Sequence, residues 1–484
     1  MSRRIVPTAM VVRKTGLALY KIYRALSVAL SPLVFLHLRR RVAAGSEHPT
    51  RWQERLGHAS LSRPKGPLLW FHAVSLGFAF LLHLGEGLAA IPVIKQCVLA
   101  LPAMHILMTT ATLSAFEVIR NELPKCILHQ FSPVDTAAAV DTFLGHWKPN
   151  AVVLLESELW PNLIMSSSRN RVSLALLNAR ISKKSFEIWS WPVFLPLIST
   201  MLSKFSLIVP LSTQQAIRLQ HLHCPPSVIN FCGDLKYVIG IDYPEWDSQS
   251  MEEMTACLSD RPVWMAAVIH RDEERVVFST HQFLIRVFPN LLTIIAPRSP
   301  QHALEITQKL QRGGQNVSLR SQDEHIFPGK NVYVVDTLGE LRRLYKLTPI
   351  AVIGGSFSPT SSGHNLSEAA AAGCAVLSGY FLGHFSHMAQ QMQQLHPLSI
   401  LQVNGELELQ KSIVKLLKDP KLLEARRTAA KKAIQALSNG IVTRVWSALG
   451  YHVLRHALSE DRNQGGVREP GEIGLRNQQI RKSN

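Results

Sequence analysis

The chain has 484 residues, 46% hydrophobic and 18% charged, with 52 Lys and Arg against 34 Asp and Glu for a formal charge of +18. This length exceeds one ordinary core and fits two or three domains, and the positive balance favours anionic partners such as phosphorylated substrates and anionic lipid. No zinc-finger spacing or basic-aromatic repeat supports a nucleic-acid binder, and the six cysteines at 97, 126, 224, 232, 257 and 374 form no Cys-x-x-Cys pair, which argues against a zinc site or a disulfide framework.

Residues 1–45 read as a basic leader with a membrane-associating helix. Nine Lys or Arg and no Asp or Glu precede Glu47. Residues 25–38, "ALSVALSPLVFLHL", are free of charge and run straight into Arg39, Arg40 and Arg41. Such a run is shorter than the roughly 20 residues a spanning helix needs, so a helix lying on a membrane surface is expected. An Arg-rich leader without acids also has the composition of a mitochondrial transit peptide. A helix packed on the protein's own surface is the alternative.

Residues 46–240 form the first expected domain. Its apolar runs "PLLWFHAV", "HILMTTAT", "KCILHQFSP", "NAVVLLESELWP", "VSLALLNAR", "FSLIVPLS" and "SVINFCGDLK" alternate with helix-like stretches, the pattern of a parallel α/β sheet. After the first run, "VSLGFAFLLHLGEGLAAIP" repeats a Leu-Gly turn, so either Gly77 or Gly85 opens the next helix. In "LLESELWPN", Glu156 and Glu158 end a buried run, where a carboxylate is costly unless paired or functional. At most one of the two is expected to meet a cleft. "GDLK" places Lys236 at another strand end, where it could neutralise phosphate charge.

Polar residues 236–253 are the expected linker to a second domain at 241–458. Its runs are "RPVWMAAVIH", "NLLTIIAPRSP", "NVYVVDTLGE", "PIAVIGGSFSP", "GCAVLSG" and "LSILQV". Two Rossmann-like halves leave a cleft beyond the carboxyl ends of their strands, and ligand residues are sought there. Gly354, Gly355 and Ser356 follow one strand, and Gly363, His364 and Asn365 precede an Ala-rich helix that carries Glu368. Turn and helix-start amides can hold a phosphate, and Glu368 can accept from ribose hydroxyls. Pro297 and Arg298 end another strand with a guanidinium suited to phosphate. Leu338, Gly339 and Glu340 form a strand-to-helix turn able to read a base edge. His384 and His387 stand three apart near His364 without an accompanying Glu, so no metal site is predicted. No Asp-x-Asp is present, which removes the usual means of holding Mg²⁺ on a sugar donor. Residues 459–484 form a polar tail expected to be disordered.

Taken in order, "RWQERLG", "HAVSLG…EGLAAIP", "ESELWPN", "NARIS", "GDLK", "APRSP", "DTLGEL", "GGSF" and "GHNLSEAAA" resemble the 3-deoxy-D-manno-octulosonate (Kdo) transferases of lipid A synthesis, from about Tyr20 to Tyr451. The resemblance implies a GT-B fold, two Rossmann-like domains facing a central cleft. It implies inverting, metal-independent transfer of Kdo from CMP-Kdo to the lipid IVA disaccharide at a membrane surface, with no cofactor. It further implies that Glu86 is the general base and that Glu156 and Lys236 stabilise the transition state. CMP would lie against Pro297 and Arg298, Leu338, Gly339 and Glu340, and Asn365, Leu366, Ser367 and Glu368. "SPQH" at Ser299 to His302 and "LSEA" after Asn365 depart from the bacterial pattern and point to a plant-like branch, mitochondrial rather than on the cytoplasmic face of a bacterial inner membrane. Joining Gly77 to Glu86 restores the family pattern, so residues 78–85 read as an insertion. As extra helix it would displace Glu86 by about 12 Å at 1.5 Å per residue; as a bulge it would leave Glu86 in place. Another GT-B nucleotide-sugar transferase or epimerase, or a form impaired by the insertion, are the alternatives.

Overall fold

A computed structural model describes residues 9–73, 84–238, 261–322 and 329–455, together with 255, 256, 258, 457 and 458. Most of the expected linker, residues 78–83 of the expected insertion and the polar tail lie outside the described residues.

Strands β1 (Leu68–His72), β2 (His105–Thr110), β3 (Leu128–Phe131), β4 (Ala151–Leu155), β5 (Ser173–Ala179) and β6 (Leu207–Pro210) form a parallel sheet in the order β3-β2-β1-β4-β5-β6. A second parallel sheet contains β7 (Val263–Ile269), β8 (Leu292–Pro297), β9 (Val317–Leu319), β10 (Val332–Val334), β11 (Ile350–Ile353), β12 (Ala375–Ser378) and β13 (Ile400–Gln402), in the order β13-β12-β11-β7-β8-β10-β9. Every residue of β1, β4, β8 and β11 is buried, because helices cover both faces of each sheet. The runs are therefore continuously apolar rather than alternating. At about 1.5–3 kcal/mol per large apolar side chain, these strands hold the two cores together. The strand order reverses between β1 and β4 in the first sheet and between β7 and β11 in the second. Ligands of doubly wound sheets sit beyond the carboxyl ends at such points.

Two elements differ from the sequence reading. "SVINFCGDLK" is not a strand: it forms short 3₁₀ turns at Pro226–Val228 and Leu235–Tyr237, with one bridge from Ile229 to Ile208. Pro225 and Pro226, just before the run, lack ladder donors, and Gly233 within it takes φ +100°. Conversely, β9 is three residues long, too short to show a period. At Gly440 (φ +69°) the chain turns back, and the helix Ile441–Leu449 packs against the first half. Arg444 Nε donates to Cys232 O at 3.0 Å, and Ile441, Val445 and Leu449 are buried. Residues 241–458 thus contribute to both halves.

Helices α1 (Ala9–Ala29) and α2 (Ser31–Ala43) meet at a 54° bend. One face of α1 docks on the first domain. A Cβ at Gly16 would lie 2.0 Å from Thr200 Oγ1, Tyr23 donates to Asp135 Oδ2 at 2.9 Å, and Arg24 pairs with Asp141 at 2.5 Å. The other side leaves Ile22, Leu26, Val28, Leu30, Leu33 and Leu36 half or more exposed. Among the described residues no single helix is long and apolar enough to cross a membrane. Helix α3 is described over Leu84–Ala100 and contains Glu86, whereas Gly77 lies outside the described residues.

Candidate active site

Glu156 follows β4 directly and sits at φ 57°, a left-handed conformation uncommon outside glycine. Its amide donates to Leu177 O at 2.8 Å and its carbonyl accepts from Arg180 N at 3.2 Å, which hold the residue after β4 against the end of β5. The carboxylate is 2% exposed and pairs with Lys236 Nζ, with Arg180 Nη1 at 3.8 Å. A second left-handed residue, Asn178 (φ 52°), lies in an irregularity of β5 and organises the Lys236 turn. Its side-chain amide donates to Asp234 Oδ1 at 2.7 Å, its Oδ1 accepts from Leu235 N at 2.9 Å, and Asp234 Oδ1 accepts from Lys236 N at 2.8 Å. Backbone strain of this kind clusters at functional sites.

Glu158 has different partners, the chain having left the strand at the left-handed Glu156. It is also 2% exposed and accepts from the indole N–H of Trp160. Burial, with a smaller contribution from Glu156, pushes its carboxyl up to about 8. His72, at the end of β1, approaches Glu158 Oε2 at 3.8 Å, but burial and the nearby Arg55 lower the imidazole to about 3. Both groups are therefore neutral at pH 7, and their approach is not an ion pair.

The second half meets this site directly. Ser367 Oγ lies 2.8 Å from Lys236 O and 2.8 Å from Asn365 Oδ1. Asn365 Oδ1 also accepts from Ser367 N at 3.0 Å, which fixes the start of the helix Ser367–Ala372 above a buried Leu366. Lys236 Nζ is 5.5 Å from the Phe385 ring centre, and Tyr237 donates to Gln391 at 2.5 Å. Arg342 bridges the halves, 3.3 Å from Glu368 and 3.7 Å from Glu122. Asn365, Leu366, Ser367 and Glu368 are thus brought to Glu156 and Lys236.

Two expected ligand turns have internal partners. Glu340 gives its carboxylate to Arg320 at 2.8 and 2.9 Å and accepts from Thr337, so the expected turn offers backbone at Leu338 and Gly339 (φ +84°) rather than this side chain. The Gly354-Gly355-Ser356 turn is not an open phosphate cradle. The amides of Gly355, Ser356 and Phe357 donate to the buried Glu273 carboxylate at 2.7, 2.8 and 3.0 Å, and the same carboxylate accepts from His270 N at 3.0 Å. A turn that satisfies its amides with an internal carboxylate was not separable in sequence from one that awaits an anion. The side chain of Glu86 lies outside what the structure describes; the fold places its helix directly after β1, whose neighbour is β4.

At the end of β8, Pro297 pairs with Ile269, and Arg298 N donates to Ile269 O at 3.0 Å. The guanidinium reaches toward His270 and His364, two residues to which the sequence gave no role. His270 lies beyond a register shift in β7 centred on Val268, a β-branched residue at φ 58°.

A family model described as 3-deoxy-D-manno-octulosonic-acid transferase (kdotransferase) matches residues 50–239. A probable mitochondrial 3-deoxy-D-manno-octulosonic acid transferase of Arabidopsis thaliana is 53% identical over 444 residues, covering 91% of this chain and 98% of the relative. The 3-deoxy-D-manno-octulosonic acid transferase of Haemophilus influenzae is 26% identical over 439 residues, 90% of this chain and 99% of its own. Among solved structures, a putative UDP-N-acetylglucosamine 2-epimerase from Listeria monocytogenes superposes with a TM-score of 0.52 at 10% identity, over 81% of this chain and 98% of that one. That likeness shows the fold, two parallel-sheet domains like those of GT-B glycosyltransferases.

Proposed function

The chain belongs to the 3-deoxy-D-manno-octulosonic acid transferases, a family of glycosyltransferases, and on that premise we propose that it moves Kdo from CMP-Kdo to a hydroxyl of a lipid IVA-type acceptor, with inversion and without metal or resident cofactor. The observation that carries this reading is the buried Glu156–Lys236 pair seated against Asn365 and Ser367 at the carboxyl ends of both sheets. A fixed cation at this point stabilises charge that develops on the departing phosphate without reorganising during the reaction. Glu86 removes the proton from the attacking hydroxyl, a step worth typically 10²–10⁴-fold. Arg298, the Leu338–Gly339 turn and the Asn365–Glu368 helix start hold CMP.

The acceptor side has its own support. A cavity of about 500 Å³ lies between the N-terminal helices and the ends of the first sheet, with Leu26, Leu30 and Val34 on one wall and Trp160, Arg55 and His72 on the other. Its apolar wall continues into the exposed apolar residues of α1 and α2, which suits a phosphorylated lipid drawn from a membrane surface. The acid-free leader and the mitochondrial name of the Arabidopsis relative support a mitochondrial membrane surface as the site of action. A thermal-shift comparison tests the donor assignment: CMP raises the melting temperature and UDP does not. Stabilisation by UDP alone would move the assignment to another nucleotide sugar.

A further inference from the structure

The reversal of strand order in the second sheet, between β7 and β11, brings two imidazoles together. His270 Nε2 and His364 Nε2 are 2.8 Å apart, and Arg298 Nη1 is 3.2 Å from the same His270 nitrogen. A guanidinium only donates, so His270 Nε2 accepts from Arg298, and His364 must supply its Nε2–H. The His270 proton then resides on Nδ1, which faces Ser361 Oγ at 3.4 Å. The arrangement needs a glycine at 355: a Cβ there would lie 2.8 Å from His364 Cδ2 and 3.2 Å from His270 Nε2. A glycine at 354 is needed as well, because a Cβ would lie 2.5 Å from the carbonyl of the bulged Val268.

The cluster lacks an anion. Arg298 Nη2 is buried with no hydrogen-bond partner among the described residues, an expensive state for a guanidinium nitrogen. Glu273, whose charge acts on His270, already accepts four backbone amides. Asp272 accepts from Thr360 on the solvent side. We propose that His270 and His364 complete a phosphate-binding site with Arg298, and that the pair takes up a proton when an anionic phosphoryl group of a nucleotide enters. This deepens the reading above and rests on it, since the phosphate would be that of the cytidine donor.

The electrostatics agree with the geometry. Burial first, and then His270 and Arg298, lower His364 to about 3, while burial and Arg298 lower His270 against the opposing pull of Glu273 and Asp272. The empty pair is therefore neutral near pH 7. An anion against Arg298 offsets the charge repulsion that adds to burial, and so raises both groups. Affinity then falls as pH rises through the value of the occupied pair, with a limiting slope of about one decade per pH unit for one proton.

The test is isothermal titration of the full chain with cytidine 5′-methylphosphate, a diester whose single ionisable oxygen stays charged from pH 6 to 8. Titrations run in two buffers of different ionisation enthalpy, with cytidine as the phosphate-free control. The expected result is binding with net uptake of up to one proton near pH 6.5, absent for cytidine. His364→Gln and His270→Gln should each abolish the uptake and flatten the pH dependence while retaining measurable binding. Two variants with intact apo melting transitions guard against loss through misfolding. Binding without proton uptake, or uptake unchanged in both variants, overturns the inference and leaves the nucleotide site standing. No binding of the methylphosphate or of CMP at any pH overturns both.

Discussion

Replacing Glu158 by Gln should stabilise the protein at neutral pH and lose that advantage in acid. The side chain is 2% exposed and its carboxyl is pushed up to about 8 from an ordinary 4.5. A group whose folded value is raised contributes fully below its unfolded value and loses that contribution as pH rises toward the folded one. Between 4.5 and 8 the unfolded chain sheds the proton that the folded chain keeps. At pH 7 the difference spans 2.5 pH units, about 3 kcal/mol at 1.36 kcal/mol per unit. Gln is close in shape, can accept from the Trp160 indole through Oε1, and carries no ionisation to suppress. Each kcal/mol is worth roughly 2–4 °C for a domain of this size, so Glu158→Gln should melt about 6–12 °C higher at pH 7 and only about 1–3 °C higher at pH 5. Differential scanning calorimetry of the two proteins at both pH values measures this directly. A Gln variant that is no more stable at pH 7, or whose advantage is as large at pH 5, would refute the buried neutral acid. Retention of so costly a carboxyl is the trade between stability and function expected beside an active site.

Lys236→Met removes the cation paired with the buried Glu156 carboxylate, a loss of about 3–5 kcal/mol that urea titration should register, and it should remove transfer activity under conditions where the variant is still folded. Glu86→Gln should lower kcat by 10²–10⁴-fold and leave the CMP-induced thermal shift unchanged; unchanged turnover would show that another group is the base.

Much of the fold could be read in advance, because parallel strands covered on both faces leave apolar runs that stand out from their turns. The runs at β1 to β8 and β10 to β13 all matched. Where short-range pattern carries no information, the reading stopped. Three residues, as in β9, cannot display a period, and a Pro-Pro segment with a left-handed glycine can be apolar without pairing. The return of Ile441–Leu449 to the first half is a long-range packing event that local composition does not encode. At the site, Glu156, Lys236 and Asn365 to Glu368 were legible because charged or polar residues after buried runs are costly and conspicuous. His270 was not, since its position depends on a bulge at Val268 that the sequence "AAVIH" does not announce. Nor could the Gly354-Gly355-Ser356 turn show that Glu273, some 80 residues earlier in the chain, already occupies its amides. The choice posed by the repeated Leu-Gly turn falls on residues outside those described.

The central claim is Kdo transfer from a site built on Glu156, Lys236 and the Asn365–Glu368 helix start. Its most direct test is incubation of the full chain, and of a matched form lacking residues 78–85, with CMP-Kdo and lipid IVA in mixed micelles, followed by mass spectrometry of the lipid. The account predicts Kdo-bearing lipid and stoichiometric CMP from the full chain and from the matched form. Absence of Kdo-bearing lipid from both forms, with each still stabilised by CMP, would contradict it.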